Sequence, residues 1–376
     1  MRQALKVSVL CIIVVFLVTS ITLIGCKTTV TETTAVAAET TAAAETTAAA
    51  ETTAAAKESF QISYFEIGFN HPFYLAQIRG QQAAALEIPQ INLSVFDGKS
   101  DAATQSSQVS TMLAKGMDFA IIDAITDDSL VTAAQECKDN NVPVITCGRD
   151  ISDFSLRIAS FNSDNYLIGK MAAETAVKYL TDKNIEKPWK VVYIEGLIAN
   201  VGNTQRMDGW HEIFKPYIDD GSAEIVADVA GDWMRDVSLT KMQEILVKTK
   251  DIDLVYANND EEGIGAILAM EAVGLKAGED VAVIGIDGST EGIQYVKDGK
   301  FIASISHQAF LLGYWAIQAA AKYLIDGTLP PEGKFKDNLI SPSSIVIDKS
   351  NADSVLAFGE PADITDPNQK PLQLPY

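Results

Sequence analysis

From Phe60 onward, short apolar runs alternate with longer stretches whose apolar positions recur at helical spacing. Strands are expected over residues 62–69, 91–96, 119–123 and 142–146, with helices over 73–86, 101–115 and 128–140 between them. The alternation then repeats, with strands over 190–195, 224–229, 252–257 and 281–286 and helices over 165–180, 205–217, 237–248 and 262–273. Runs that are apolar throughout, separated by amphipathic helices, imply parallel β-α-β units with both sheet faces covered. The expectation is an α/β chain with two successive, open, doubly wound sheets of about 140 residues each.

Ligands of such sheets bind beyond the carboxyl ends of the strands. Polar residues gather at those ends: Asn70 and His71 ahead of Pro72, Gly148 and Arg149, Asn258 to Asp260, Asp287, and His307 with Gln308. Any one of them is equally a capping or solvated loop residue, and Asp260 ahead of Glu261 and Glu262 reads as an ordinary N-cap. Their joint placement suggests a site. Glu66, a charge near the end of an apolar strand, is a further candidate for it.

Charge and motifs narrow the chemistry. Fifty Asp and Glu against 29 Lys and Arg leave a formal charge of −21, which repels a nucleic-acid backbone. Three histidines and four cysteines show no metal-ligand spacing, so no metal or cofactor is expected. The phosphate-cradling GxxxxGK[ST] run and the GxSxG nucleophile elbow are both missing. Asp260, Asp287 and the histidines could supply acid–base groups, but no spacing orders them into a nucleophile, base and orienting group. Cys137 ends a helix and Cys147 ends the next strand, about 10 Å apart along the axis, too far for a disulfide. Two free, buried thiols are expected.

The N-terminal stretch has a different character. Arg2 and Lys6 precede an apolar run from Val7 to Ile24, the layout of an export signal over residues 1–25, although the run is long enough to raise a retained membrane anchor. Leu23-Ile24-Gly25-Cys26 resembles a bacterial lipobox, which marks Cys26 for lipidation. Over residues 26–58 the composition falls to Thr, Ala and Glu, with Glu-Thr-Thr-Ala-Ala-Ala repeated from Glu39, Glu45 and Glu51. A period of six puts no apolar stripe on a helix, and without large apolar side chains the segment cannot offset its ordering entropy. It reads as a disordered tether spanning roughly 30 Å as a coil and about 100 Å when taut.

Six stretches in order resemble the bacterial periplasmic sugar-binding proteins of the ribose/galactose type, the type I periplasmic binding proteins related to lac-repressor ligand domains. They are Asn70-His71-Pro72-Phe73-Tyr74, Val142 to Thr146 leading to Arg149, Ser163-Asp164-Asn165, Arg206 to Trp210, Asn258 to Glu261, and Gly285 to Gly288. The resemblance implies two lobes joined by a three-strand hinge that closes on a sugar. It places residues 59–160 with 308–342 in one lobe and 161–307 with 343–376 in the other. Phe73 and Trp233 would face each other across the cleft and cover the two C–H faces of a sugar ring. Arg149 and Arg206 would donate to hydroxyls, Asn259 and Asp287 would bond to others, and His71, Tyr74 and His307 complete the implied ligand set. The plainer reading of both arginines is a surface ion pair.

Three departures bear on the ligand. The ribose proteins carry an Asp where this chain has Gly148, an Asn at His71 and a Gln at His307. Loss of the Asp should leave Arg149 less neutralised and open space for a ligand carboxylate or extra hydroxyl, so a pentose, hexose or cyclic polyol all fit. The implied function is that of a non-catalytic, extracytoplasmic substrate-binding lipoprotein of an ATP-dependent sugar importer. Its partners would be a membrane permease and the membrane, through its lipid, and it is expected as a monomer. A sugar sensor feeding a chemoreceptor or sensor kinase is the alternative.

Overall fold

Alternate side chains of β1 (Phe60–Glu66) enter two different cores: Ile62 and Tyr64 pack on one face of a sheet, Phe65 on the other. Burial of both faces is why the strand is apolar without a break. The computed structural model describes residues 57–198, 200–331, 336–363 and 370–376. The expected export signal, Cys26 and all of the tether but Lys57 and Glu58 lie outside them. With β2 (Ile91–Asp97), β3 (Phe119–Ile122), β4 (Val144–Cys147) and β5 (Ala159–Phe161), β1 forms a parallel sheet ordered β2-β1-β3-β4-β5. Its connecting helices are α1 (Pro72–Glu87), α2 (Ala102–Ala114) and α3 (Val131–Asp139).

The second half repeats this topology. After α4 (Asn165–Asp182) come β6 (Trp189–Glu195), α5 (Val201–Asp219), β7 (Ala223–Ala230) and α6 (Arg235–Lys248). Then follow β8 (Leu254–Ala257), α7 (Asp260–Ala272), β9 (Ala282–Asp287), α8 (Thr290–Lys297) and β10 (Ala303–Ser306). The order β7-β6-β8-β9-β10 matches the first sheet strand for strand. In both, the winding reverses beside the first strand of the lobe, the position where open α/β sheets bind ligands.

The chain passes between the lobes three times, at residues 162–164, 307–308 and 341–345. After the second passage, α9 (Ala309–Asp326) packs on α1. Two short strands then edge the sheets: β11 (Leu339–Ile340) runs parallel to β5, and β12 (Val346–Ile347) antiparallel to β10. The passages are bonded to one another, Ser163 Oγ donating to His307 O at 3.1 Å and Gln308 Nε2 to Ser343 O at 2.7 Å.

Reciprocal glycines let the main helix pairs meet backbone to backbone. A methyl group on Gly80 would lie 2.0 Å from Phe310 O, and one on Gly313 2.1 Å from Gln77 O, which fixes α1 against α9. Gly169 and Gly209 do the same for α4 and α5, at 1.9 Å from Arg206 O and 2.0 Å from Tyr166 O.

Several elements differ from the sequence expectation. The first strand ends at Glu66, three residues early, because Ile67 N turns back to the Glu66 carboxylate. Helix α5 starts four residues early because Asn200 caps it. The sequence pattern predicts neither α8 nor α9; α9 is buried nearly all round and so shows no polar stripe. Residues 343–376, expected with the second lobe, divide: β12 joins that lobe's sheet, whereas Phe358 and Leu374 pack into the α1–α9 core. The apolar outer side of α9 needs this cover, and Trp315 Nε1 donates to Leu372 O at 2.6 Å. Cys137 and Cys147 are free and buried.

Candidate functional site

The nine residues expected to touch a ligand all line one cavity of about 480 Å³ between the lobes. Helix starts supply much of its wall. His71, Asp164, Asn200 and Asn259 are the N-caps of α1, α4, α5 and α7, and all four line it. Four helix N-termini therefore converge on the cavity, a setting that favours ligand oxygens as acceptors.

Arg206 is buried on α5. Its Nε donates to Asn165 Oδ1 at 2.9 Å, one terminal nitrogen donates to Asn258 O, and the other lies 3.3 Å from His307 Nδ1. Arg149 donates from its two terminal nitrogens to Ile125 O at 2.8 Å and Tyr74 Oη at 2.9 Å. Neither guanidinium has a carboxylate partner within ion-pair distance among the described residues. The surface ion-pair reading therefore fails for both. Arg157, which sequence reasoning passed over, is the paired arginine of the cavity, forked onto Asp150 with both bonds at 2.6 Å.

Trp233 is held by its backbone. Asp232 and Trp233 have φ of 54° and 65°, a left-handed turn uncommon for non-glycine residues. Trp233 N donates to the buried Glu262 carboxyl at 2.8 Å, and Trp233 O accepts from Asn259 Nδ2 at 3.2 Å. Burial pushes Glu262 up to about 8, opposed by the Trp233 N–H. The indole fits against Gly196, where a methyl group would lie 2.2 Å from the ring. The Arg206 guanidinium stands over it, 5.1 Å from the ring centroid. Its Nε1 is buried with no partner among the described residues. Phe73, on α1, stacks on His307 at 4.4 Å and 27°. Both rings border the cavity, and each already has a polar group of the site against it.

Asp287 ends β9 beside His307, 3.6 Å from Nδ1. Burial, then the neighbouring Asp260, pushes its carboxyl well above the usual carboxylate range, against the pull of Arg206. Burial and Arg206 together hold His307 well below the ordinary imidazole value, so it is neutral. Asp260 is not the cap: Asn259 is, in a reciprocal capping box with Glu262. Asp260 is a buried brace that accepts from Ser289 N at 2.9 Å, Ser289 Oγ at 2.7 Å and Ser304 Oγ at 2.6 Å. It thereby fixes the loop that follows Asp287.

Gly148 and Arg149 both border the cavity, but a side chain at position 148 would be directed away from open space. Gly148 has φ of 90°, and a methyl group there would meet Asp123 Oδ2 at 2.3 Å. Asp123 lies under the floor, pushed up to about 7 by burial, with Arg149 opposing the shift. Glu66 lies beside it, bonded to Tyr64 Oη and Ile67 N, and is raised by burial and by Asp123. Neither carboxyl lines the cavity, so Glu66 does not complete it. Asn165, Gly196, Glu262 and Asp123 are the functional supports that sequence reasoning missed. Only Asn165 left a signal, as part of the Ser163-Asp164-Asn165 stretch.

The sequence matches the periplasmic binding protein domain family over residues 66–328. Among curated relatives, a ribose import binding protein of Bacillus subtilis is 29% identical over 264 residues, 70% of this chain and 81% of that protein. A galactofuranose-binding protein of Escherichia coli is 30% identical over 245 residues, 64% of this chain and 74% of that protein. A crystal structure of a galactofuranose binding protein superposes with a TM-score of 0.71 at 26% identity, covering 78% of this chain and 96% of that one. These relatives are binding proteins, not enzymes.

Proposed function

The chain belongs to the periplasmic binding protein family, and from that premise we propose that it captures a monosaccharide or cyclic polyol outside the cytoplasmic membrane and delivers it to an ATP-driven importer. One observation carries the reading: two guanidiniums free of carboxylates, a neutral imidazole, a carboxyl and an amide converge with two aromatic rings on a single cavity between the lobes. Its volume of about 480 Å³ suits a small ligand. Unpaired guanidiniums donate to hydroxyl oxygens in directions set by Tyr74 and Asn165, and each such charged bond is worth about 1.5–3 kcal/mol. Asp287 accepts from ring hydroxyls. The C–H faces of the sugar lie on Phe73 and Trp233. Closure of the lobes about the three passages removes these groups from water. Lipidation of Cys26 and the tether of residues 26–58 would keep the body near its permease.

A thermal-shift panel of D-ribose, L-arabinose, D-galactose, D-fucose, D-allose and myo-inositol tests the reading. A ligand present at 100 times its Kd stabilises by about 2.7 kcal/mol, an easily measured change. At least one sugar should raise the melting temperature, and Trp233→Ala and Arg206→Ala should each abolish the rise. A panel without effect, or variants that respond like the parent, would refute the proposal.

A further inference from the structure

Ala357 and Phe358 are consecutive in the chain but pack into different lobes. Ala352, Val355 and Ala357 join the core that α6 and α7 share with the second sheet, whereas Phe358, 3% exposed, is seated in the α1–α9 core of the first lobe. After β12, and beyond the three passages between the sheets, the tail therefore crosses back to the first lobe within one peptide unit. A short left-handed stretch makes the crossing, with φ of 53° at Phe358 and 73° at Gly359. A bulky residue keeps such a φ only where its surroundings fix it.

Both of its contacts reach the cavity walls. Phe358 N donates at 2.9 Å to the carbonyl of Gly288, the residue that follows the site carboxyl Asp287 in the second lobe. Its ring stands edge-on to Phe73 of the first lobe, with centroids 6.4 Å apart and planes at 77°. Gly359 lies on the second passage, where a methyl group would meet Gln308 Oε1 at 2.4 Å, and Gln308 in turn bonds to Ser343 O of the third. The next residue, Glu360, fastens the strap to α1, accepting from Arg79 Nε at 2.7 Å and from its terminal nitrogen at 2.6 Å. Phe358 itself lies outside the cavity.

We infer that Phe358 is a positioning residue that pins the lobes at their pivot, so that closure returns Phe73 and Asp287 to one register. The inference rests on the sugar-capture reading of the same cavity and assigns a residue outside it to the alignment of its two walls. The reach from the Phe358 N–H to its ring is set by covalent geometry and two side-chain torsions, so the residue cannot follow Gly288 and Phe73 apart. Rotation of the lobes about this point keeps both contacts, whereas sliding or twisting breaks one. The pin thus removes the shear component from a hinge motion. Without it, fewer closed arrangements bring both walls to the ligand, and the apparent Kd rises by the inverse of the competent fraction.

Phe358→Ala removes the ring but also empties a core position, so the decisive variant leaves both seats filled and slackens the chain between them. Gly-Gly-Gly inserted between Ala357 and Phe358 adds about 10 Å of reach. The same insertion after Asp220, in the turn between α5 and β7 of one lobe, is the control. The first measurement needs no sugar: residual dipolar couplings of isoleucine methyl groups in the full chain, with Ile62 and Ile121 reporting the first lobe and Ile264 and Ile284 the second. The alignment tensors of the two lobes should diverge in the slackened chain relative to the parent and stay as in the parent in the control. Tensors that match in parent and slackened chain, or that diverge equally in the control, would overturn the pin. Loss of folding in the slackened chain with the control folded would make residue 358 a support of the fold alone and would also overturn it. The second measurement is calorimetric affinity for the sugar that gives the largest thermal shift. Kd should rise about tenfold in the slackened chain and in Phe358→Ala and hold in the control; an unchanged Kd in the slackened chain would overturn the inference. Failure of every sugar to bind the parent, with the tensors diverging as expected, would support the pin and strike the sugar-capture reading alone.

Discussion

Gly196 offers the sharpest test of how the cavity wall is made, because nothing in the sequence marks it. A methyl group there would sit 2.2 Å from Trp233 Cη2 and Cζ2. Carbon–carbon contact needs about 3.5 Å, so in Gly196→Ala the indole must retreat by about 1.3 Å. Its retreat is constrained by the Arg206 guanidinium 5.1 Å from the ring centroid and eased by the cavity it borders. Since a ring beside open space can move, the folding cost should be at the low end of the overpacking range, about 1 kcal/mol. Ligand affinity should suffer more. Loss of a ring contact removes about 0.5–1.5 kcal/mol, and intrusion into the cavity adds to it, so a Kd increase of about 10- to 100-fold is expected. Titration calorimetry with the best sugar of the panel measures it. Trp233→Phe provides the cycle: the smaller ring gives the methyl group room, so Gly196→Ala should cost much less in that background, with a coupling above about 0.5 kcal/mol. Unchanged affinity in Gly196→Ala, or equal losses in both backgrounds, would show that the indole is not seated as described.

Further outcomes follow from the same contacts. Arg206→Lys replaces a fork bonded to Asn165 and Asn258 by a point charge that cannot serve both, and sugar affinity should fall by about 2 kcal/mol in calorimetry while the chain stays folded. Gly169→Ala would force a methyl group to within 1.9 Å of the Arg206 carbonyl, so it should lower the melting temperature and sugar affinity together, unlike a surface substitution on the same helix. Burial raises Asp123 to about 7 and Glu66 well above its ordinary value, so both favour the protonated fold. Their contribution is fullest below the unfolded value of about 4 and is lost as pH rises through each raised folded value, about 7 for Asp123, so Glu66→Gln should stabilise the chain more at about pH 8 than at about pH 5 in denaturant titrations. An equal effect at both pH values would show that the two carboxyls are not buried together.

The alternation of apolar runs and amphipathic stretches determined, without coordinates, that the chain forms two parallel α/β sheets, because each strand has to bury both faces. It also picked out residues that the fold brings to one cavity. Residues at the carboxyl ends of strands share one end of a sheet whatever the packing details, and so His71, Arg149, Asn259, Asp287 and His307 could be picked from position alone. Lateral relations were out of reach. That Asp123, 25 positions earlier, lies against Gly148 follows from the parallel pairing of β3 with β4. The stacking of Phe73 on His307 depends on where the second passage between the lobes runs, and the seat of Trp233 on Gly196 and Glu262 depends on three separate loops meeting. Periodicity along a chain records which side of an element is buried. Which partner buries it, at what distance and with what charge, is settled only when elements remote in sequence pack together.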